Sequence, residues 1–207
     1  MKTHFALTLA LGLCLATARP ALAADAAGTA DQAALKATID TCATCHGAHG
    51  QSVSPTFPNL AGQGALYIET QLKAFKDQSR GDPDAQAYMW GMASQLSDEK
   101  ISALAAYFSA QTPAPGHAGN PKLVAQGRKL FDEGVPARGI PPCASCHGAN
   151  AEGQAVFPRL AGQHAPYLFK QLLVIQNVLR TAPVMHGVIK DLTRDQMQAV
   201  VAYLESI

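Results

Sequence analysis

Cys42-Ala43-Thr44-Cys45-His46 and Cys143-Ala144-Ser145-Cys146-His147 write one pattern twice, Cys-x-x-Cys-His. Cysteines three apart on a helical turn share a face. Both thiols can therefore bond to the two vinyl-derived carbons along one side of a porphyrin. The histidine that follows swings under the ring and offers an imidazole nitrogen to iron. This spacing is the attachment signal of a c-type haem. Three other chemistries use paired cysteines. Two pairs could form a four-thiolate zinc site, but zinc gives no reason for a histidine after each pair, and 97 residues separate them. A thioredoxin-like dithiol needs a βαβ setting, and no strand pattern is present. Structural disulfides suit an exported chain.

The elements that position these motifs repeat as well. Phe57-Pro58-Asn59-Leu60-Ala61-Gly62-Gln63 recurs as Phe157-Pro158-Arg159-Leu160-Ala161-Gly162-Gln163, and Tyr67 and Gln71-Leu72 recur as Tyr167 and Gln171-Leu172. Leu96-Ser97 and Ala106-Tyr107 recur as Leu192-Thr193 and Ala202-Tyr203, at an offset shorter by four. The four extra residues of the first copy are expected within Ser79–Gln86, at an Arg80-Gly81-Asp82-Pro83 loop with no counterpart in the second. Each copy reads as helix, motif, loop, helix, loop, helix. Ala30 to Thr41 is helix-prone, Tyr67 to Lys76 carries a helical apolar stripe, and Ser97 is an N-cap with acidic residues behind it. Pro121 suits a first helical position, and Thr193 with Gln196 makes a capping box. Nothing alternates with period two, so the fold class is all-α.

A haem iron held by His46 or His147 needs a second axial ligand or a vacancy. Met89 lies seven residues before Leu96, and Met185 lies seven before Leu192. They are equivalent positions, and this makes them the axial candidates. Met92 has no methionine partner, because it matches Val188. Met197 matches Ile101 on an inner helix face and reads as packing. His186 is the rival to Met185. His49, His117 and His164 fall in polar or loop contexts and read as solvated or haem-propionate-side residues. Pro58 and Pro158 mark loops from which a backbone carbonyl can accept the proximal imidazole N–H.

The start of the chain reads as a secretory leader, residues 1–23: Lys2, an apolar run from Phe5 to Ala16, then Ala21-Leu22-Ala23 as the cleavage signal. Cys14 falls inside it, so the four motif cysteines are the whole mature complement, in residues 24–112 and 121–207 with 113–120 as a Pro/Gly linker. Without Lys2 and Arg19 the 16 basic residues become 14, against 15 acidic ones. That balance has no concentrated basic face for nucleic acid. Export suits covalent haem attachment, which occurs outside the bacterial cytoplasm, and the expected address is the periplasm.

Two tandem class I cytochrome c domains carrying Phe-Pro-x-Leu-Ala-Gly-Gln, a following Tyr and Gln-Leu, then Met and Leu-Ser/Thr, resemble the dihaem cytochrome c4 family. The resemblance covers essentially all of the mature chain. It implies two covalently bound haem c groups, one at Cys42 and Cys45 and one at Cys143 and Cys146. The axial pairs it implies are His46 with Met89 and His147 with Met185. It further implies an approximate two-fold relation between domains, with the haems close at the interface. The function implied is one-electron transfer by a non-enzyme, a monomeric carrier between redox protein partners. A quinol–cytochrome c oxidoreductase would be the donor and a terminal oxidase the acceptor, with peripheral membrane association compatible. The alternatives are a fixed haem relay subunit of a membrane oxidase or dehydrogenase, and a dihaem peroxidase with one iron able to open a site.

Overall fold

The computed structural model describes the backbone from Ala21 and the side chains from Asp31, through to Ile207. The expected leader up to its last three residues, with Cys14, lies outside the described residues. Leu35–Ile207 forms one compact unit, and ahead of it the described backbone from Ala21 is helical.

The first copy contains α1 (Ala21–His46), α2 (Ala65–Lys76), α3 (Trp90–Ser94) and α4 (Asp98–Ser109). The second contains α5 (Pro121–Glu133), α6 (Ala144–His147), α7 (Ala165–Gln176), α8 (Pro183–Ile189) and α9 (Arg194–Glu205). Among the described residues there are no strands, only two isolated bridges, Val135 with Ile140 and Gln154 with Phe157. The all-α expectation holds.

Local chemistry sets the element ends. The Ser97 hydroxyl caps α4 by accepting the Lys100 N–H, and Asn120 caps α5 just ahead of Pro121. Thr193 and Gln196 cap α9 reciprocally as a capping box. Each motif helix stops straight after its histidine, at Gly47 (φ 78°) and Gly148 (φ 85°). A side chain on Gly47 would meet the Gln51 carbonyl oxygen at 1.9 Å, so this reversal belongs to glycine.

Both copies use the same scaffold. The terminal helix, α4 or α9, packs on α2 or α7, and α9 also crosses α5. Ile68, Leu104, Ala105 and Phe108 make the first core, with Leu35 and Ile39 of α1 against it. Leu130, Phe131, Met197, Val200 and Leu204 lie at the centre of the second. Gly127 is the contact point of α5 on α9, because a Cβ there would sit 1.9 Å from the Ala199 carbonyl oxygen.

The repeated Phe-Pro-x-Leu-Ala-Gly-Gln segment is tied down identically in both copies. The N–H groups of Leu60 and Ala61 share the Gly50 carbonyl, and those of Leu160 and Ala161 share that of Ala151. Gly62 N–H then reaches Phe108 O on α4, and Gly162 N–H reaches Leu204 O on α9.

The copies diverge later than expected. Arg80 N–H bonds to Ala74 O, and Arg180 N–H bonds to Val174 O. The residues two before them, Gln78 and Val178, both take positive φ, 61° and 59°. Arg80 therefore has a counterpart, Arg180, which corrects the expectation that the second copy lacks one. The extra length of the first copy comes after the arginine, where Ala85–Met89 winds as a π-helical turn leading into α3. The second copy goes directly into α8.

Gly127→Ala is expected to lower unfolding free energy by about 1–3 kcal/mol, since the backbone contact leaves no room for a methyl group and overpacking outweighs the helix-propensity gain. Denaturant melts of the variant would check this; unchanged or raised stability would show that the two helices can part without cost.

Candidate functional site

The proximal side of each site is built by one short circuit. His46 is 8% exposed and His147 is 7% exposed. His46 Nδ1–H donates to the Pro58 carbonyl at 2.9 Å, and His147 Nδ1–H donates to the Pro158 carbonyl at 3.0 Å. Each ring lies edge-on to the phenylalanine one residue before that proline. The Phe57 and Phe157 centroids both stand 6.1 Å away, with interplanar angles of 66° and 68°. Burial pushes both imidazoles below their ordinary pKa, with the proline carbonyls opposing it more weakly. Each ring is therefore neutral at physiological pH, with Nδ1 engaged and Nε2 left as a lone-pair donor.

The four motif cysteines are free, so the disulfide alternative is not formed among the described residues. Burial raises the Cys42 thiol and pushes that of Cys143 up to about 11. Zinc fares no better. Among the described residues no three His, Cys, Asp or Glu side chains gather at ligating distance.

A cleft of about 1180 Å³ of empty space, part of it open to solvent, runs past Cys42 and His46. Met89, half-buried, stands on its wall, and Leu72, Phe75, Leu104 and Phe108 line its interior. In the second copy Met185 is half-buried on α8 and packs against the core there. Met92 is 45% exposed, and Met197 is 1% exposed and serves as packing. His186 Nδ1–H donates to the Ile175 carbonyl at 3.0 Å, which ties its ring to α7.

The rim of the cleft is polar and belongs to both copies. Arg80 donates to Asp82 (2.8 Å), Gln71 (2.8 Å) and Gln171 (3.0 Å). Arg180 donates to Gln171 (2.6 Å), the Tyr67 hydroxyl (2.8 Å) and Gln71 (2.9 Å). Burial opposes ionisation of Tyr67, but Arg180 and then Arg80 outweigh it and draw the phenol below its usual range. Two buried donors at this rim, Arg159 Nε and Gln171 Nε2, have no partner. An apolar slot with a donor-rich edge, the Cys42 thiol and a free imidazole nitrogen on its wall fits a flat macrocycle that is greasy in the body and carboxylated along one edge.

A cytochrome c family model matches the chain twice, over residues 30–111 and 124–207. The cytochrome c4 of Pseudomonas aeruginosa is 39% identical over 190 residues, which span 89% of this chain and 91% of that one. The chain belongs to the dihaem cytochrome c4 family. The solved cytochrome c4 structure from Acidithiobacillus ferrooxidans superposes with a TM-score of 0.77 at 42% identity, covering 80% of this chain and 98% of that one. A thiosulfate dehydrogenase electron acceptor from Thiomonas intermedia is 36% identical, over 86% of this chain and 83% of that one. Like the rest of its family, this cytochrome c4 carries two covalently bound haem c groups and transfers electrons.

Of the two places expected for His164, solvent or the haem-propionate side, the first does not hold. The structure buries it to 8% exposure and directs its Nε2–H to the Ser52 carbonyl of the other copy at 2.9 Å. Its position in the first copy is Gly64, so no repeat signal pointed to it. His49 is exposed and shares a 3.3 Å hydrogen bond with Tyr107. His117 is exposed. The cross-copy role of Arg80 and Arg180 was equally hidden, because Gln171 for the first, and Tyr67 and Gln71 for the second, lie about a hundred residues away.

Arg180→Leu is expected to cost about 1–3 kcal/mol in denaturant unfolding, by stranding the buried Tyr67 hydroxyl and leaving Arg80 alone to serve Gln71 and Gln171. Arg180→Lys should recover little of it, because one ammonium cannot reproduce the fork. Full recovery by lysine would mean that charge alone matters at this position.

Proposed function

We propose that this cytochrome c4 is a periplasmic one-electron carrier between respiratory complexes, closed to substrate at both irons. In this reading Cys42 and Cys45 hold the first haem through thioethers, and Cys143 and Cys146 hold the second. The axial pairs are His46 with Met89 and His147 with Met185. Bound haem supplies a one-electron ferric–ferrous couple; the chain supplies everything that decides where the electron goes.

The observation that carries the reading is the fixed tautomer of the two buried histidines. With each Nδ1–H spent on its own proline carbonyl, Nε2 is the nitrogen left for iron. Met89 on the wall of the same cleft supports the opposite axial place, and a thioether there favours the ferrous state. Met185 takes the equivalent place in the second copy. His186 Nδ1–H is spent on the Ile175 carbonyl, and Met185 is preferred over it because it alone repeats the position of Met89. A methionine and a histidine both bound to an iron would leave no position for peroxide, and this favours the carrier over the peroxidase reading.

No helix among the described residues is long and apolar enough to cross a membrane. A carrier of this kind docks briefly, through interfaces below ~1,200 Å². Donor and acceptor are respiratory complexes such as a quinol–cytochrome c oxidoreductase and a terminal oxidase. The likeness to a thiosulfate dehydrogenase electron acceptor supports a second donor class, a periplasmic sulfur-oxidising dehydrogenase. In this reading the carrier is a monomer.

Ferric absorption spectra of variants test the ligand set. Met89→Ala and Met185→Ala are each expected to remove about half of the methionine–iron charge-transfer band, following the equal weight of two sites. Met92→Ala and His186→Ala should leave it whole. Loss of the band in Met92→Ala, or retention in Met89→Ala, would overturn the assignment. Separately, Cys146→Ser is expected to leave the second haem on a single thioether, and an unshifted α-band in the alkaline pyridine spectrum would contradict the attachment proposed for that cysteine.

A further inference from the structure

The glutamine that closes each repeated Phe-Pro-x-Leu-Ala-Gly-Gln segment is spent on the other copy. Gln163 Oε1 accepts the Asn59 N–H at 2.9 Å, and Gln163 Nε2 donates to the Asn59 carbonyl at 3.0 Å. In mirror fashion Gln63 Oε1 accepts the Arg159 N–H at 2.8 Å, and Gln63 Nε2 donates to the Arg159 carbonyl at 3.0 Å. Both side chains are 6% exposed. Their oxygen and nitrogen ends are not interchangeable, because each faces a backbone group of fixed sense.

The Asn59 N–H belongs to the same peptide group as the Pro58 carbonyl, and that carbonyl accepts His46 Nδ1–H. The Arg159 N–H likewise shares a peptide group with the Pro158 carbonyl, which accepts His147 Nδ1–H. A peptide is one conjugated unit. Accepting a hydrogen bond from its N–H side moves electron density onto its oxygen and strengthens the bond received there. Two unbroken relays result: His46, the Pro58–Asn59 peptide and Gln163; and His147, the Pro158–Arg159 peptide and Gln63. Each starts at a proximal imidazole and ends in the opposite copy.

We propose that Gln163 positions and tunes His46, and Gln63 His147, so that each haem's potential is set in part by a residue of the other domain. This rests on the reading of His46 and His147 as axial ligands. The direction follows from the relay. A stronger pull on Nδ1–H makes the imidazole a better donor and favours ferric iron. Cutting the relay therefore favours ferrous iron at the haem across the interface. The other role open to the glutamines is that of a latch. His164 provides a latch of that kind, since its bond to Ser52 crosses the interface without touching either proline peptide.

Proton NMR of the holoprotein through a redox titration follows each haem's own methyl signals and each proximal Nδ1–H. In Gln163→Leu the ferric-to-ferrous equilibrium of the first haem is expected to shift toward ferrous by about threefold, about 28 mV at 59 mV per tenfold. The His46 Nδ1–H signal should move toward a weaker hydrogen bond, and the second haem should stay in place. Gln63→Leu should do the reverse, while His164→Leu should produce neither crossed pattern. Gln163→Glu keeps the acceptor oxygen and makes it stronger, so its His46 Nδ1–H should move opposite to that of Gln163→Leu. It also serves if the leucine variant does not fold. Equal shifts at both haems, no shift, or the same sign for Leu and Glu would overturn the relay. If the wild-type ferric protein shows no hyperfine-shifted Nδ1–H for His46 or His147, the axial reading itself fails, independently of the glutamines.

Discussion

An imidazole with one nitrogen committed has one nitrogen to give, and the rest of this molecule serves that restriction. The commitment needs a carbonyl in the right place, and a proline provides it within a loop that has no regular structure. The loop is rigid because the N–H groups of Leu60 and Ala61, or of Leu160 and Ala161, share one carbonyl near the motif, and that of the glycine after them is taken by the terminal helix. The terminal helix is in turn held by the core, through Leu104 and Phe108 in one copy and Val200 and Leu204 in the other. Core packing, loop and ligand orientation therefore form one chain of dependence, and it is present twice.

The halves differ at the proposed methionine ligands. A π-helical turn delivers Met89, whereas an ordinary α-helix delivers Met185. π-turns widen a helix by one residue per turn and recur at functional sites. The first cleft is also bordered by charged groups of both copies, since Arg80 and Arg180 reach the same glutamines. Nearly identical scaffolds thus place two chemically alike centres in unequal surroundings, the condition for an electron to prefer one of them. Domains within a chain generally move unless their interface is extensive. Here buried polar groups with fixed partners tie the copies together, and loss of any one strands another in a low-dielectric setting.

Much of this was legible in the residues. The pentapeptides, helix caps, apolar stripes and the pairing of Met89 with Met185 are local or periodic features, and periodic features survive reading along a line. The π-turn was not legible, because four added residues can be absorbed by a loop or by a wider helix with equal ease. Placing the insertion at a loop that includes Arg80 hid the equivalence of Arg80 and Arg180. His164 and the two glutamines were visible as residues but not as contacts. Their partners lie about a hundred positions away, and only the pseudo-two-fold closure of the molecule brings them together. The repeat announced that Gln63 and Gln163 matter; it could not say that each one serves the other's half.

The central claim is that both irons are closed on both faces by protein ligands, so that electrons alone pass. Carbon monoxide binds ferrous haem wherever an axial place opens, which makes its addition to the reduced holoprotein the most direct test. The visible spectrum is expected to remain that of two six-coordinate low-spin haems at neutral pH. Prompt formation of a carbonyl adduct at either haem would contradict the account.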